Sequence, residues 1–378
     1  MKIPFAKPNI GISELNEIKD TLNSGILVHG KKTLYFEKVF SNLIKANFSI
    51  STSSCTSALN IAAMCLSLKK NDEVMISAQT HVATAHAIEA VGARPIFIDS
   101  CEETGNINID DLEKKITKKT KAISIVHFLG APQPMTEIMK FKNKYNLKLI
   151  EDCALALGAK YKGLSVGTFG DFGCFSFHPV KIMTTGEGGF LTIKKKKDYI
   201  TSKDLRSFGV RKNFYERKTP GLYDVEQFGL NFRMGEINSS LGISQLKKLP
   251  IMLKKREFNF LSLKQRLVKN QNFRILNTES NKISQSSYYC MNIILKQKLK
   301  KYRNAIIKKI NDLGVGTSIY YPLPVPHFSY YKKKYKLKTS TYKTALLLSN
   351  STISLPVGPH INKDGIDFIA KTINKVLS

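Results

Sequence analysis

The sequence predicts an α/β protein, with a large, mostly parallel sheet domain followed by a smaller α+β C-terminal domain. Three observations carry this. Between Ser49 and Ile193, short apolar strand-like runs alternate with helix-like stretches, as successive βαβ units do. The 378 residues, 42% of them hydrophobic, suffice for a large core and two domains. After residue 253 the alternation gives way to mixed helix, strand and a Pro/Tyr-rich loop.

In chain order, the strand-like runs are Glu73 to Ser77, Pro95 to Asp99, Ala122 to Phe128, Lys148 to Asp152, Phe172 to Phe177 and Gly189 to Ile193. Helical periodicity marks Ser57 to Leu68, Val82 to Val91, Ile109 to Ile116 and Thr136 to Tyr145. From Val225 to Leu253 the pattern is helical, with an apolar face through Met234, Ile237, Leu241 and Leu246. An amphipathic helix from Lys254 to Val268 then leads into the second domain. That domain contains a strand over Tyr288 to Leu295, a helix over Tyr302 to Leu313, a loop from Tyr320 to Tyr331 and a last helix over Lys363 to Leu377. The expected division is residues 1–253 and 254–378.

The formal charge is +30, from 59 Lys+Arg against 29 Asp+Glu. Such a charge raises nucleic acid or an anionic membrane as partners. The lysines are spread along the chain, however, and no nucleic-acid motif accompanies them, so they read as solvated surface. A positive field would still gather an anionic small substrate. No run approaches the ~20 apolar residues of a membrane span, and Met1 to Pro8 has no secretory apolar core. The six cysteines are dispersed without a CxxC pair, which argues against zinc or a disulfide framework and suits a reducing cytoplasm. Asp171-Phe172-Gly173 lacks the other kinase motifs. No GxxxxGK[ST] occurs, and the seven histidines show no metal-ligand spacing. No metal, nucleic acid or membrane is expected.

Chemistry concentrates around Lys181. It follows the apolar run Phe172 to Phe177 and precedes a Gly-Glu-Gly-Gly turn and a second apolar strand. An amine between apolar strands is costly unless neutralised, paired or covalently used, and a desolvated lysine suits Schiff-base chemistry with a carbonyl. The bland alternative is a snorkelling surface lysine. Ser54-Cys55-Thr56-Ser57 precedes an apolar helix, so its hydroxyls and N–H groups suit a phosphate or a plain N-cap. Asp152 ends a strand, where a carboxylate can pair with the pyridine nitrogen of pyridoxal phosphate (PLP), cap a helix or bind a metal. Ser176, also at a strand end, can reach a phosphate while Lys181 reaches the aldehyde of the same cofactor. Ligands of parallel sheets bind at these carboxyl ends.

These residues, with Ser24-Gly25, Gly30 and Phe36-Glu37 near the start, Thr80-His81-Val82-Ala83-Thr84, Glu151-Asp152-Cys153-Ala154, Ser176-Phe177-His178-Pro179-Val180-Lys181, Gly229-Leu230-Asn231-Phe232-Arg233-Met234 and Leu355-Pro356, occur in an order that runs nearly the length of the chain. In this the chain resembles the DegT/DnrJ/EryC1/StrS sugar aminotransferases, PLP-dependent transferases of fold type I (aspartate aminotransferase-like). The resemblance implies that Lys181 is the Schiff-base lysine and proton shuttle, that Asp152 holds the pyridinium, and that His81 stacks on the ring. His81 as a helix cap or core residue is the plainer option. Ser54, Cys55, Thr56, Ser57 and Ser176 would surround the phosphate. Asn231 would reach the phosphate of a neighbouring subunit, which implies a homodimer. His178, Tyr321 and His327 are the candidate substrate contacts, although the loop carrying the last two reads equally well as a plain polyproline surface segment. One position departs: Leu155 stands where the family often has Gln or His, near the cofactor's O3′.

The resemblance implies an aminotransferase cycling between PLP and its pyridoxamine form (PMP). It would take the amino group from an amino acid, glutamate, and pass it to a nucleotide-linked keto-sugar, a 4-keto-6-deoxyhexose, for surface glycan or amino-sugar synthesis. The alternatives are a PLP-dependent sugar dehydrase or lyase, and a non-catalytic cofactor-binding regulator. A lysine rather than a histidine at position 181 argues against the dehydrase branch.

Overall fold

The computed structural model describes residues 1–211, 219 and 221–378. Seven strands form the large sheet: β1 (Phe48–Thr52), β2 (Glu73–Ser77), β3 (Arg94–Ile98), β4 (Thr120–Val126), β5 (Lys148–Asp152), β8 (Phe172–Ser176) and β9 (Gly189–Ile193), in the order β1-β9-β8-β5-β4-β2-β3. The pairs among β3, β2, β4, β5 and β8 are parallel. Only β9 runs against its neighbours β1 and β8. Two short strands, β6 (Lys160–Tyr161) and β7 (Leu164–Ser165), lie between β5 and β8 in sequence and form a hairpin, and β6 also pairs with β11 (Ser284–Gln285). The antiparallel sheet of the C-terminal part consists of β10 (Phe273–Ile275), β12 (Met291–Leu295) and β13 (Thr352–Leu355).

The large sheet is buried on both faces, as a parallel sheet requires, and side-chain alternation sorts its residues. Phe175, Phe177 and Phe190 face one side, where they meet Phe36 and Phe40 of the helix Lys31–Ile44. The Phe40 and Phe175 rings meet edge on at 5.2 Å between centroids, and Phe36 meets Phe190 likewise at 4.8 Å. Ile150, Phe172, Cys174 and Leu191 face the other side and pack on the helix Cys55–Cys65. The strands that carry Asp152 and Ser176 are therefore clamped between two helical layers.

The sequence reading places most sheet strands within two residues of their observed ends. It differs in the helices. The expected helices Val225–Leu253 and Lys254–Val268 are one helix, Glu236–Leu267, while residues 225–235 are not helical. Pro250 lies inside that helix. The buried positions Leu246, Leu249, Met252, Arg256, Phe260 and Leu263 continue one face through it, so packing outweighs the lost backbone bond. The helix thus runs unbroken across residues 253 and 254. Two helices, Ile12–Asn23 and Lys31–Ile44, precede β1. Buried Glu14 joins the first to the long helix through Ser244, Gln245 and Lys248, at 2.9, 2.9 and 2.6 Å.

Candidate active site

Four segments converge beyond the carboxyl ends of β2, β5 and β8. The first is the N-terminus of the helix Cys55–Cys65. Ser54 caps it, its Oγ accepting the Ser57 N–H at 3.0 Å. The Ser57 hydroxyl lies 2.8 Å from that of Ser53. The first N–H groups of a helix have no partner within it, and at Cys55 and Thr56 they belong to an exposed Thr56 beside a buried Cys55. The end of β9 presses against this turn. A Cβ on Gly189 would lie 2.5 Å from the Ser54 carbonyl carbon and 2.6 Å from the Cys55 nitrogen. Gly189 pairs with Ser176 on one side and Thr52 on the other, so Ser176 and the helix turn meet at one glycine.

Asp152, 3% exposed, ends β5. Its carboxylate accepts the Thr84 hydroxyl at 2.8 Å and the Ala154 N–H at 3.0 Å. Thr84 sits one helical turn after His81, on the same face; this partner of Asp152 carried no assigned role in the sequence. The adjacent Glu151 points to the opposite face of the sheet. It accepts the N–H groups of Gly167, Phe169 and Gly170 at 2.8, 2.9 and 2.7 Å, and lies 3.0 Å from His127 Nε2. His127 Nδ1 accepts from Gln133 N–H, so Nε2 carries the proton that goes to Glu151. With Cys153 these groups form a compact buried cluster. The Glu151 oxygens are taken by four donors, and the cluster acts as a hydrogen-bond hub beneath the site.

Lys181 lies in the turn between β8 and β9, its N–H bonded to the His178 carbonyl at 2.9 Å. It is half-buried. Burial pulls its amine below the ordinary lysine range, while Cys55, Asp152 and Cys290 beside it pull the other way. Burial likewise pushes the Cys55 thiol well above its usual value, and the Asp152 charge adds to this; Cys55 is a neutral neighbour, not a nucleophile.

His81 caps the helix Val82–Ala90, its Nδ1 accepting from Ala83 N–H at 3.2 Å. The capping option is thus realised. The ring still stands at the site's rim, 6.0 Å between centroids from Tyr321. Desolvation there lowers its pKa, with Asp152 opposing and Lys181 reinforcing. Tyr321 contacts Phe128 as well, at 6.3 Å, and burial followed by the Asp152 charge holds its hydroxyl protonated. Its loop crosses the end of β2, where Val325 N–H reaches the Ala78 carbonyl at 2.9 Å.

The remaining expected residues lie further out. His178 is exposed, with Nε2 3.9 Å from Glu187 Oε1. His327 turns towards Tyr342, 6.2 Å between centroids, and Tyr342 in turn packs on Phe97 of β3. Asn231 is exposed and bridges to Ser207, while the carbonyl of the next residue, Phe232, accepts the Ser53 N–H at 2.8 Å. Leu155 is buried in the core, its carbonyl accepting the Ser287 hydroxyl at 2.9 Å.

Known proteins share this sequence pattern and fold. Residues 8–374 match the model of the DegT/DnrJ/EryC1/StrS aminotransferase family. The chain is 32% identical to the UDP-4-amino-4,6-dideoxy-N-acetyl-beta-L-altrosamine transaminase of Campylobacter jejuni, over 99% of this chain and 97% of that one. Among solved structures it is similar to PseC of Helicobacter pylori, an aminotransferase involved in the biosynthesis of pseudoaminic acid, with a TM-score of 0.94 and 28% identity over 100% of this chain and 99% of that one. It is also similar to the PLP form of the putative sugar aminotransferase Spr1654 of Streptococcus pneumoniae, with a TM-score of 0.92 and 27% identity over 100% and 98% of the two chains. With a match of this extent, the chain belongs to the DegT/DnrJ/EryC1/StrS aminotransferase family.

Proposed function

We propose that this aminotransferase moves an amino group from glutamate to the keto carbon of a nucleotide-linked sugar, a 4-keto-6-deoxyhexose, in surface-glycan or amino-sugar synthesis. The observation that carries the reading is the convergence of the Lys181 amine, the Asp152 carboxylate and the Ser54 helix cap at one sheet edge. The donor set fits pyridoxal phosphate, and the helix turn that would hold its phosphate packs directly on Gly189, where a Cβ would not fit.

Pyridoxal phosphate supplies an aldehyde that exchanges amino groups and a ring that withdraws electrons from the carbon bearing them. Asp152, held in place by Thr84 and Ala154, would pair with the ring nitrogen of the bound cofactor. The hydroxyls of Ser54, Thr56, Ser57 and Ser176, with the helix N–H groups, bind the phosphate. Lys181, partly desolvated, holds its amine neutral at lower pH than a free lysine and so moves a proton to or from the sugar carbon. His81 covers one ring face. The loop over β2 brings Tyr321 to the substrate side.

The Campylobacter relative is named for a sugar nucleotide with an amine at C4, which favours amination at that position here. Exposed Ile12, Leu15, Leu34, Leu222, Phe228 and Leu230 favour a homodimer in which Asn231 serves the partner's phosphate. In this reading the parts before and after residue 253 act as large and small domains. Among the described residues no helix is long and apolar enough to cross a membrane, and all six cysteines are free thiols, which favours the cytoplasm.

The test is a panel of keto-sugar nucleotides assayed for glutamate-dependent amination, with Lys181→Ala alongside. Amination of 4-keto substrates, and loss in the variant of both activity and the borohydride-fixable cofactor, is expected. A variant that still fixes the cofactor covalently at the same level removes Lys181 from its role; amination confined to 3-keto sugars overturns the substrate assignment.

A further inference from the structure

The turn that carries Lys181 is held at a point outside the residues discussed so far. The Val180 carbonyl, one residue before the lysine, accepts the Tyr289 hydroxyl at 3.2 Å. The Tyr289 and Tyr320 hydroxyls lie 2.6 Å apart. A carbonyl can only accept, so the single Tyr289 proton goes to Val180 and the Tyr320 hydroxyl donates to Tyr289. Both tyrosines are buried, at 3% and 9% exposure, and their rings meet edge to face at 5.4 Å. The face of the Tyr289 ring lies 5.7 Å from Lys181 Nζ.

Each tyrosine is anchored to a different part of the protein. Arg256 Nη1, on the long helix, donates to the Tyr289 carbonyl at 2.9 Å. Gln79, just beyond β2, donates its amide to the Tyr320 carbonyl at 3.1 Å and accepts the Ser349 hydroxyl at 3.1 Å. Tyr320 opens the loop that carries Tyr321 over the site. The hydroxyl chain Tyr320–Tyr289–Val180 therefore ties the substrate-side loop to the peptide bearing the reactive amine. An amine that moves a proton must stand within hydrogen-bond reach of its target, and small displacements of a reacting group cost rate steeply.

We propose that Tyr289, oriented by Tyr320, is a positioning residue for Lys181: its hydroxyl fixes the Val180 peptide, and its ring forms the wall along which the lysine side chain extends. The inference rests on Lys181 being the cofactor lysine. Tyr289 touches the lysine and its backbone, not the reacting carbon, so it acts through Lys181.

Tyr289→Phe, Tyr320→Phe and the double variant test this. In the full chain before cofactor is added, the pH profile of amine labelling at Lys181, read by mass spectrometry of its peptide, should shift in Tyr289→Phe. In the cofactor-loaded enzyme kcat should fall about 2- to 10-fold, the scale of one neutral hydrogen bond, with KM for the sugar nucleotide unchanged. Tyr320→Phe keeps every Tyr289 contact except one and should shift both readouts the same way by less, which keeps the test sound if Tyr289→Phe folds poorly. Because Tyr320 acts through Tyr289, the double variant should match Tyr289→Phe within about twofold, the non-additivity of residues in one network. An unchanged labelling profile and kcat in Tyr289→Phe, or losses that multiply in the double variant, overturns the proposal. Lys181→Ala separates the two claims: if it still fixes cofactor covalently, the reading of Lys181 fails, whereas silent tyrosine variants beside a dead Lys181→Ala sink the positioning role alone.

Discussion

Gly189→Ala should weaken cofactor binding through a single methyl group. The added Cβ would lie 2.5 Å from the Ser54 carbonyl carbon, 2.6 Å from the Cys55 nitrogen and 2.6 Å from the Ser54 oxygen, where ordinary contact begins at 3.4 Å. All three are backbone atoms, so no side chain can swing aside, and the helix turn must retreat by about 0.9 Å or the end of β9 must give way. Overpacking of this kind costs roughly 1–3 kcal/mol of stability. A retreat of that size stretches a hydrogen bond from about 2.9 Å past the useful limit. Losing one bond to a charged phosphate costs about 1.5–3 kcal/mol, or roughly 10- to 100-fold in Kd. The assay is a titration of cofactor into the full chain, followed by visible absorbance, with inorganic phosphate as a competitor to isolate the helix turn. Gly11→Ala is the control, since its Cβ would meet nothing nearer than 4.0 Å. A Gly189→Ala protein whose cofactor and phosphate affinities stay within twofold of the parent would show that this helix turn does not hold the phosphate.

Two other perturbations test the electrostatics. Asp152→Asn can keep an acceptor for the Ala154 N–H, with its NH2 turned to the Thr84 hydroxyl, which can accept as well as donate; it removes the charge proposed to face the ring nitrogen, and kcat/KM should fall about 10²- to 10³-fold, the scale of one preorganised electrostatic partner. Because the Asp152 charge raises the Lys181 pKa against burial, the same variant should move the Lys181 labelling midpoint still lower, and an unmoved midpoint would mean the two groups do not feel one another. Glu14→Gln probes the link between the first helix and the long one. Burial raises the Glu14 pKa, but Lys248, Gln245, the Gly11 N–H and Ser244 outweigh it and bring it from 4.5 down to about 2. The folded-state value lies below the unfolded one, so the stabilisation, about 3 kcal/mol, is complete above pH ~4.5 and lost as pH falls towards ~2. Denaturant melts of parent and variant should differ by about 2–3 kcal/mol at pH 7 and converge in acid; curves that stay parallel would refute this.

The residues that were legible in the sequence share a physical cause. Asp152, Ser176 and the Ser54 cap sit at ends of strands and helices, where local patterning alone sets direction and exposure. Asp152 could be read as facing the site because β5 ends there, although that reading did not separate it from Glu151, and only side-chain alternation sends the two carboxylates to opposite faces. Periodicity assigns no helix or strand before Ser57. In β1, Phe-Ser-Ile-Ser-Thr, four of five residues are buried although three are hydroxyl-bearing, and hydropathy does not reveal a strand whose Ser51 bonds to Glu37. The two helices before it keep many apolar side chains exposed, which blurs the periodicity of a single buried face.

What stayed hidden is tertiary. Nothing near Lys181 in sequence announces Tyr289, which lies 109 residues beyond the carbonyl it holds, or Tyr320, which reaches the same point from another loop. A run such as Ser-Tyr-Tyr-Cys reads as the entry to a strand, and only the packed chain turns one of its tyrosines towards a lysine. The same reasoning bears on Leu155. Its side chain is buried in the apolar core and its carbonyl is already bonded to Ser287, so nothing polar at that position reaches the cofactor. Under the proposed function, tuning of the ring would fall more heavily on Asp152, and placement of the amine on the Val180–Tyr289 contact. In this chain the surroundings of Lys181 are as much a product of the C-terminal half as of the motif that contains it.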